Sequence, residues 1–429
     1  MKQPLYIVDG VRTPFAKMGT TLAACDAAEL GRTATAALLA RTGLDPALID
    51  EVVFGCVGNP VDAANVARVI ALRAGIPEAV PAITVSRNCA SGFEAITQAA
   101  QKAAAGDGDI FVVGGAESMT NYPLIYNERA VKKFAALGKA KSLGQKLGAV
   151  AAFRPADLFA PKIALMLGLT DPVCGLGMGQ TAELLARDFK LTREMQDEFA
   201  MRSHQKAEAA RAKFKDEITP VYPRRGKDAA AIDADNGIRD GQTMEALGKL
   251  KAVFEKRSGT VTAGNASQVT DGAVALLVAT EAGVKRLGLT PLGKLTGYAY
   301  AGCEPARMGL GPVYAMAKAE KLTGLTLADA DLIEINEAFA AQVMACCAAA
   351  ASDDYARRHL GRDRALGVIP PEKLNVNGGA IALGHPVGAS GSRLALTALN
   401  ELKRRGAKRA LVSLCVGGGQ GGALWLEVV

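Results

Sequence analysis

Short apolar runs and amphipathic stretches alternate from the start of this chain. LYIVDG precedes a helical pattern over about Ala27–Thr42; EVVFGCVG and AITVS follow, then a second helical pattern over about Ala90–Ala105 and the apolar run DIFVVGG. Near-continuous apolar strands separated by helices predict a sheet covered on both faces. After Glu117 the pattern changes. Residues from about 120 to 258 carry more charge and long helical stretches such as TREMQDEFAMRSHQKAEAARAKF, with few strand signals, which predicts a helical insertion. Strand character returns in TVTAGNASQVTDGAVALLVAT. A second alternating set then follows: LGKLTGYAYA, a helix near 312–323, DLIEIN, a helix from about Glu337, KLNVN, a helix near 390–405, and RALVSLCVGGG.

The two sets resemble each other locally. AITVSRNCASGFEAITQAAQKA followed by DIFVVGGAES parallels LNVNGGAIALGHPVGASGSRLALTALNEL followed by RALVSLCVGGGQGG. Each is a strand, a turn of small residues holding one reactive side chain, a helix, and a strand running into glycines. This predicts a duplicated α/β fold. The first half spans 1–119 and 259–290, the insertion 120–258, and the second half 291–429.

Composition narrows the function class. The 429 residues are 49% hydrophobic and 22% charged, enough for a large core. A net charge of +7 without basic runs interleaved with aromatics argues against nucleic acid and fits a phosphorylated anionic ligand. Asp9 interrupts the apolar start, and no uncharged stretch reaches membrane-span length, so a cytoplasmic protein is expected. Eight cysteines without a CxxC predict free thiols, most of them small buried hydrophobes, and no metal-ligand spacing is present.

Two of those cysteines stand in different company. Cys89, in VSRNCASGFEA, follows a strand and opens a helix, whose unpaired N–H groups favour a thiolate. It is a candidate nucleophile; a small residue chosen for tight packing is the alternative. His385, in GHPVGASG, occupies the equivalent turn of the second half, so pseudo-twofold symmetry would bring imidazole and thiol to one cleft, as a base requires. A helix-capping role is its alternative. In LCVGGGQGG, Cys415 ends a strand, and Gly417 offers a backbone N–H of the kind an oxyanion hole uses. A glycine-rich nucleotide loop competes there, although neither GxGxxG nor a P-loop lysine is present. In EINEAFAAQ, the Asn336 amide can hold a water against a developing oxyanion, and Glu337 can support the helix start. His204 and His359, in charged surroundings, are expected at the surface.

Together NCASG, NEAFA, GHPVGASG and CVGGG, in this order and spacing, resemble the thiolases over essentially the whole chain. The resemblance implies the duplicated α/β/α/β/α fold with an inserted loop domain, and a homodimer or tetramer. It implies Cys89 as the nucleophile that takes the acyl group, His385 as its base, and Cys415 as the acid/base at the acetyl α-carbon or coenzyme A. His385 with a water on Asn336 resembles one oxyanion hole, and the N–H groups of Cys89 and Gly417 the other. Ser267, Met178, Ala338 and Phe339 resemble the wall around the pantetheine arm. Coenzyme A is then a substrate, and no tightly bound cofactor or metal is expected. A decarboxylating ketosynthase shares the fold, but would carry a histidine at Asn336 and no cysteine at 415. A non-catalytic lipid carrier would lack one of the three reactive residues.

The stretch before GMGQTAE and DYARRHLGRDRALGVIPPEK resemble insertions of the β-subunits of trifunctional fatty-acid oxidation complexes, which pair with a hydratase/dehydrogenase α-subunit. NEAFA departs from those subunits that have histidine in place of Asn336, and GNASQ resembles short-chain and peroxisomal types. Between Arg129 and Leu165 stand eight basic residues against one acid, Asp157, with Phe134, Leu137, Leu143, Leu147 and Val150 at roughly helical spacing. That surface suits a membrane, a partner subunit or the acyl-CoA entrance, or is a solvated cover. Arg225, with Arg224 and Lys227, is a candidate for the coenzyme A 3′-phosphate.

Overall fold

The computed structural model describes residues 4–223 and 230–429. The first half contains β1 (Leu5–Arg12), β2 (Glu51–Gly55), β3 (Ala82–Val85), β4 (Ile110–Ser118) and β5 (Thr270–Ala279), ordered β3-β2-β4-β5-β1. The second contains β6 (Gly293–Gly302), β7 (Leu332–Ile335), β8 (Arg409–Val416) and β9 (Gln420–Glu427), ordered β7-β8-β9-β6. β2 is parallel to β3 and β4, while β5 runs antiparallel to β4 and β1. In the same way β7 is parallel to β8, and β9 runs antiparallel to β8 and β6. The halves join edge to edge where Leu5 and Ile7 of β1 pair with Leu295 and Gly293 of β6.

KLNVN, expected as the second half's counterpart of β3, is not a strand. It makes one parallel bridge, Ile333 to Leu374. At the next residue, Asn375, the backbone turns to φ 44° and the side chain takes over the ladder. Its amide accepts from Ile335 N–H and donates to Ile335 C=O, both at 2.9 Å. A side chain able to both donate and accept replaces a peptide group here.

The helices of nine or more residues among the described residues are α1 (Ala27–Thr42), α2 (Ser91–Ala105), α3 (Glu128–Lys139), α4 (Leu143–Ala151), α5 (Met178–Asp188), α6 (Arg193–Ala209), α7 (Gly311–Thr323), α8 (Ala340–Ala350) and α9 (Ser390–Arg405). α1 has the expected limits: Asp26 accepts from Glu29 N–H at 2.7 Å, and Gly43 ends it at φ 64°. Three apolar clusters order the layers. α1 packs on the outer face of the first half, α7 and α8 on the outer face of the second, and α2 and α9 lie between the sheets. The result is an α/β/α/β/α arrangement with a duplicated sheet, as the repeated sequence pattern predicts.

About half of the described residues between β4 and β5 are helical, with 215–223, 230–243 and 249–269 irregular and one two-residue strand pair, Leu124–Ile125 with Lys162–Ile163. They are tied to the core by buried charge. The Arg12 guanidinium donates to both oxygens of Asp235, at 2.7 and 2.8 Å, and to Glu217 at 3.1 Å. α8 starts three residues later than its predicted limit near Glu337. Phe339 stays extended to bridge Ala266, and Ala340 N–H donates to Asn265 C=O. Glu337 therefore does not cap α8. Its buried carboxylate accepts from Ser203 Oγ at 2.6 Å, Asn375 Nδ2 at 2.9 Å and Ile381 N–H at 3.2 Å.

His204 is not at the surface. On α6 it is buried, its Nδ1 accepting from Arg239 N–H at 3.2 Å, and burial first, then Arg239 and Lys17, push it down to about 4. A charged sequence context concealed one buried position on an otherwise solvated helix. His359 is exposed, as expected, with its ring 4.5 Å from that of Tyr355.

α2 and α9 meet at their first turns, and only glycine fits there. A Cβ on Gly92 would lie 2.6 Å from Ser392 N, and one on Gly391 would lie 2.5 Å from Phe93 N. Both obstacles are backbone and cannot swing aside. Gly391→Val is expected to cost about 3 kcal/mol or more, the upper end for overpacked cores. Chemical denaturation checks this; a stability within 1 kcal/mol of the unaltered protein would show that the crossing is not tight.

Candidate active site

The turn before α2 is built to present Cys89. Asn88 takes φ 43°, and Ser91 Oγ bridges the turn by donating to Asn88 C=O at 2.7 Å and accepting from Arg87 N–H at 2.9 Å. Cys89 is left half-buried, lining an apolar cavity. The helix end does not by itself make it a thiolate. Burial pushes its thiol up from the ordinary value, and the N–H groups of Gly417 and of Cys89 itself only partly oppose this. Ionisation therefore needs a base.

The turn before α9 places His385. Its ring Nδ1 is 2.6 Å from Ser390 Oγ, and that hydroxyl donates to Pro386 C=O at 3.0 Å. A hydroxyl has one proton; with that proton on the Pro386 carbonyl, Ser390 Oγ accepts from Nδ1–H, which leaves Nε2 as the lone-pair nitrogen. Burial, reinforced by the Arg393 cation, pushes the imidazole down to about 4, so it is neutral at pH 7. The two turns converge on one cavity of about 220 Å³, lined by Cys89 from the first half and by Val387, two residues beyond His385, from the second.

One buried carboxylate ties the second turn to the first half. Glu117, at the end of β4, accepts from Val57 N–H at 3.0 Å, Gly58 N–H at 2.8 Å, Tyr122 hydroxyl at 2.9 Å and Gly388 N–H at 2.9 Å. Burial raises its carboxyl while these four donors hold it down. Sequence reasoning did not single out Glu117 or Ser390. An acid inside the apolar run DIFVVGGAES was the available signal for the first; nothing local marks the second, because its role depends on the ring it faces.

Cys415 is buried at the end of β8, its thiol pushed well up by burial and then by the neighbouring Cys89. It remains a protonated acid. Gly417 is pinned by Asn88 Nδ2, which donates to its carbonyl at 2.7 Å, so its N–H is directed to the Cys89 sulfur. Asn336 is buried with Nδ2 3.5 Å from both His385 ring nitrogens, and its Oδ1 has no protein partner. An unpartnered buried amide oxygen suits a bound water.

The four residues expected around the pantetheine arm also cluster. Ser267 N–H donates to Ala338 C=O at 2.8 Å and Ala266 bridges Phe339, while Met178 packs with Ala338, Phe339 and Cys415. Phe254, unpredicted, meets Phe339 edge-on at 6.1 Å between centroids. The far wall of the cavity comes from the insertion, with Leu165, Leu169 and Met178 joining Met119 and Val387. Arg225, with Arg224 and Lys227, lies outside the described residues. Among the described residues no helix is long and apolar enough to cross a membrane.

Known proteins share this fold. Residues 5–282 match the family model described as "Thiolase, N-terminal domain", and residues 289–428 match "Thiolase, C-terminal domain". The chain is 42% identical over 430 residues to a 3-ketoacyl-CoA thiolase of Pectobacterium carotovorum, covering 99% of this chain and 96% of that protein. It is also 42% identical over 430 residues to an acetyl-CoA acetyltransferase of Allochromatium vinosum, covering 100% of both. Among solved structures, human mitochondrial 3-ketoacyl-CoA thiolase in complex with CoA matches with a TM-score of 0.84 at 37% identity, covering 100% of this chain and 98% of that one.

The Ser390 contact yields a test independent of substrate. In Ser390→Ala the Nδ1–H loses its acceptor and the tautomer is free to exchange. Alkylation of Cys89 by iodoacetamide at pH 7 is expected to slow at least about tenfold, a fraction of what general-base catalysis contributes. An unchanged alkylation rate, measured by peptide mapping, would show that Ser390 does not set the base.

Proposed function

The chain belongs to the thiolase family, and from that premise we propose that it is the thiolytic enzyme of fatty-acid breakdown, cleaving 3-ketoacyl-CoA with coenzyme A. The observation that carries this reading is a neutral Cys89 thiol at the mouth of an apolar cavity, faced by a turn whose His385 keeps Nε2 free. Cys89 Sγ attacks the keto carbon while His385 Nε2 takes its proton. The bond between C2 and C3 breaks, its electrons pass to the acetyl-CoA enolate, and Cys415 protonates that carbon. Coenzyme A then gives its thiol proton to Cys415 and attacks the thioester, and Cys89 leaves with the proton held on His385. Protons and electrons balance over the two half-reactions without a redox group.

Two sets of donors meet the negative oxygens. The N–H groups of Cys89 and Gly417 converge on the nucleophile, where the tetrahedral oxygen develops. A water held by Asn336 Oδ1, together with protonated His385, suits the enolate oxygen. Ser267, Met178, Ala338 and Phe339 form the channel for the pantetheine arm, and residues 120–258 act as the insertion that closes it.

Cavity size bears on the acyl chain. A 150 Å³ cavity holds the six carbons of benzene, so about 220 Å³ takes a chain of roughly eight. We therefore place the substrate among short and medium chains, with longer ones leaving past Leu165 and Leu169. The 130–165 surface is the place for a partner. On α4, Leu143, Leu147 and Val150 are exposed on one face, beside Lys141 and Lys146, which fits an anionic membrane surface or a hydratase/dehydrogenase subunit. β3 pairs only with β2, and its free edge, with Ile83 exposed, suits antiparallel pairing with a second copy in a homodimer.

Two measurements test the reading. Purified protein should cleave 3-ketoacyl-CoA substrates with kcat/KM highest near eight carbons; a maximum at acetoacetyl-CoA would make it a short-chain acetyltransferase, the name of its Allochromatium relative, and no cleavage at any length would leave a carrier. Cys89→Ser is expected to keep its thermal midpoint and to lose acyl transfer by at least about 10³-fold. Retained turnover would remove Cys89 as the nucleophile.

A further inference from the structure

Beneath the two turns lies a charged pair that the proposed chemistry does not use. Arg393 on α9 and Glu334 on β7 are 1% and 3% exposed, and Arg393 Nη1 is 3.6 Å from Glu334 Oε2. None of the three guanidinium nitrogens has a hydrogen-bond partner among the described residues. Burying an arginine so poorly satisfied is costly, and a methionine of similar volume would fill the space without that cost. The position of the pair points to what offsets the cost.

Glu334 is on β7, and Asn336 follows two residues later, one beyond the strand's end, where its N–H still bonds Ser413 C=O and continues the extended course, so both side chains lie to the same side. Arg393 stands three residues after Ser390 on α9, so both share one face of the helix. Strand and helix thus form two rungs. The upper rung is Asn336, His385 and Ser390, with contacts of 3.5 and 2.6 Å. The lower is Glu334 and Arg393.

We infer that Glu334 and Arg393 are a positioning pair for His385: they hold β7 against α9 and set the electrostatic field in which the imidazole accepts the Cys89 proton. This rests on the reading of His385 as that base. Around the pair, Arg393 faces the anions Glu334, Glu217 and Glu337 and the cation Arg12, and Glu334 also faces Lys206. Burial pushes the Glu334 carboxyl up to about 7, with Arg393 opposing. Arg393 in turn is the charge that adds to burial in keeping His385 neutral. On the thiol side the charged neighbour is Glu117, not Arg393. The guanidinium therefore acts on the base more than on the nucleophile.

Removing a cation makes nearby protons easier to keep, which fixes the sign of the effect. The readout is the pH dependence of Cys89 alkylation by iodoacetamide in the full chain, which needs no substrate. His385→Asn is measured first and is expected to abolish the acid limb of that profile; a limb that survives refutes His385 as base and this inference with it. Where the limb depends on His385, Arg393→Met is expected to move it up by about one pH unit, as loss of a neighbouring charge does. Arg393→Lys keeps the cation and should leave the limb in place. If Arg393→Met does not fold, Glu334→Gln with Arg393→Met leaves no lone buried charge and should show the same upward move. A limb unmoved in the methionine variants, or moved equally by Arg393→Lys, would reduce the pair to a structural clamp and overturn the proposal.

Discussion

The structure depends on the crossing of α2 and α9, where Gly92 and Gly391 allow two helix backbones to touch. Each helix follows a turn that carries a reactive side chain, so the closeness of the turns is a consequence of the closeness of the helices. The same crossing lets each half-sheet lie on one shared helical layer, giving five layers instead of two separate domains. It also points two helix N-termini at one volume. Each end carries about half a positive charge, so an empty site holds two like dipoles head to head. That arrangement is unfavourable until negative charge appears between them. Glu117 supplies part of it permanently, through its bond to Gly388 N–H, and a thiolate or enolate would supply the rest only during reaction.

Burial then decides the resting state. Cys89 and Cys415 are both pushed up and His385 is pushed down, in each case with desolvation as the largest cause. The site therefore rests with neutral thiols and a neutral imidazole, and charge arises only when a proton moves between them. An enzyme that must deprotonate a thiol twice per turnover gains from this, because neither partner is trapped in a stable ion pair. Donors for the resulting anions are already in place, and so add little reorganisation to the barrier.

Much of this was legible in the sequence because the chain says it twice. The paired patterns around Cys89 and His385 carried the duplication, the strand order follows it, and the reactive residues stand at punctuated turns where glycines and small residues are conspicuous. What escaped shares a different physics. Asn375 replaces a strand with side-chain hydrogen bonds, which no apolar alternation reports. His204 is buried by contacts from a distant loop at Arg239, although its own helix reads as solvated. The 3.6 Å approach of Arg393 to Glu334 joins positions 59 residues apart, and Ser390 matters only because a ring five residues earlier folds back on it. Local periodicity reports which residues are inside; it does not report what they face.

Chemistry and selectivity come from different parts of the chain. Cys89, Asn336, His385, Cys415 and Gly417 all stand in the duplicated halves: Cys89 and His385 in the turns before α2 and α9, and Asn336, Cys415 and Gly417 at the ends of β7 and β8. The cavity wall at Leu165, Leu169 and Met178 comes from the insertion, which is anchored at Arg12 by its ion pairs to Asp235 and Glu217 and by a short backbone bridge to Ile218. Met178 couples the two, because it lines the cavity and also packs with Cys415.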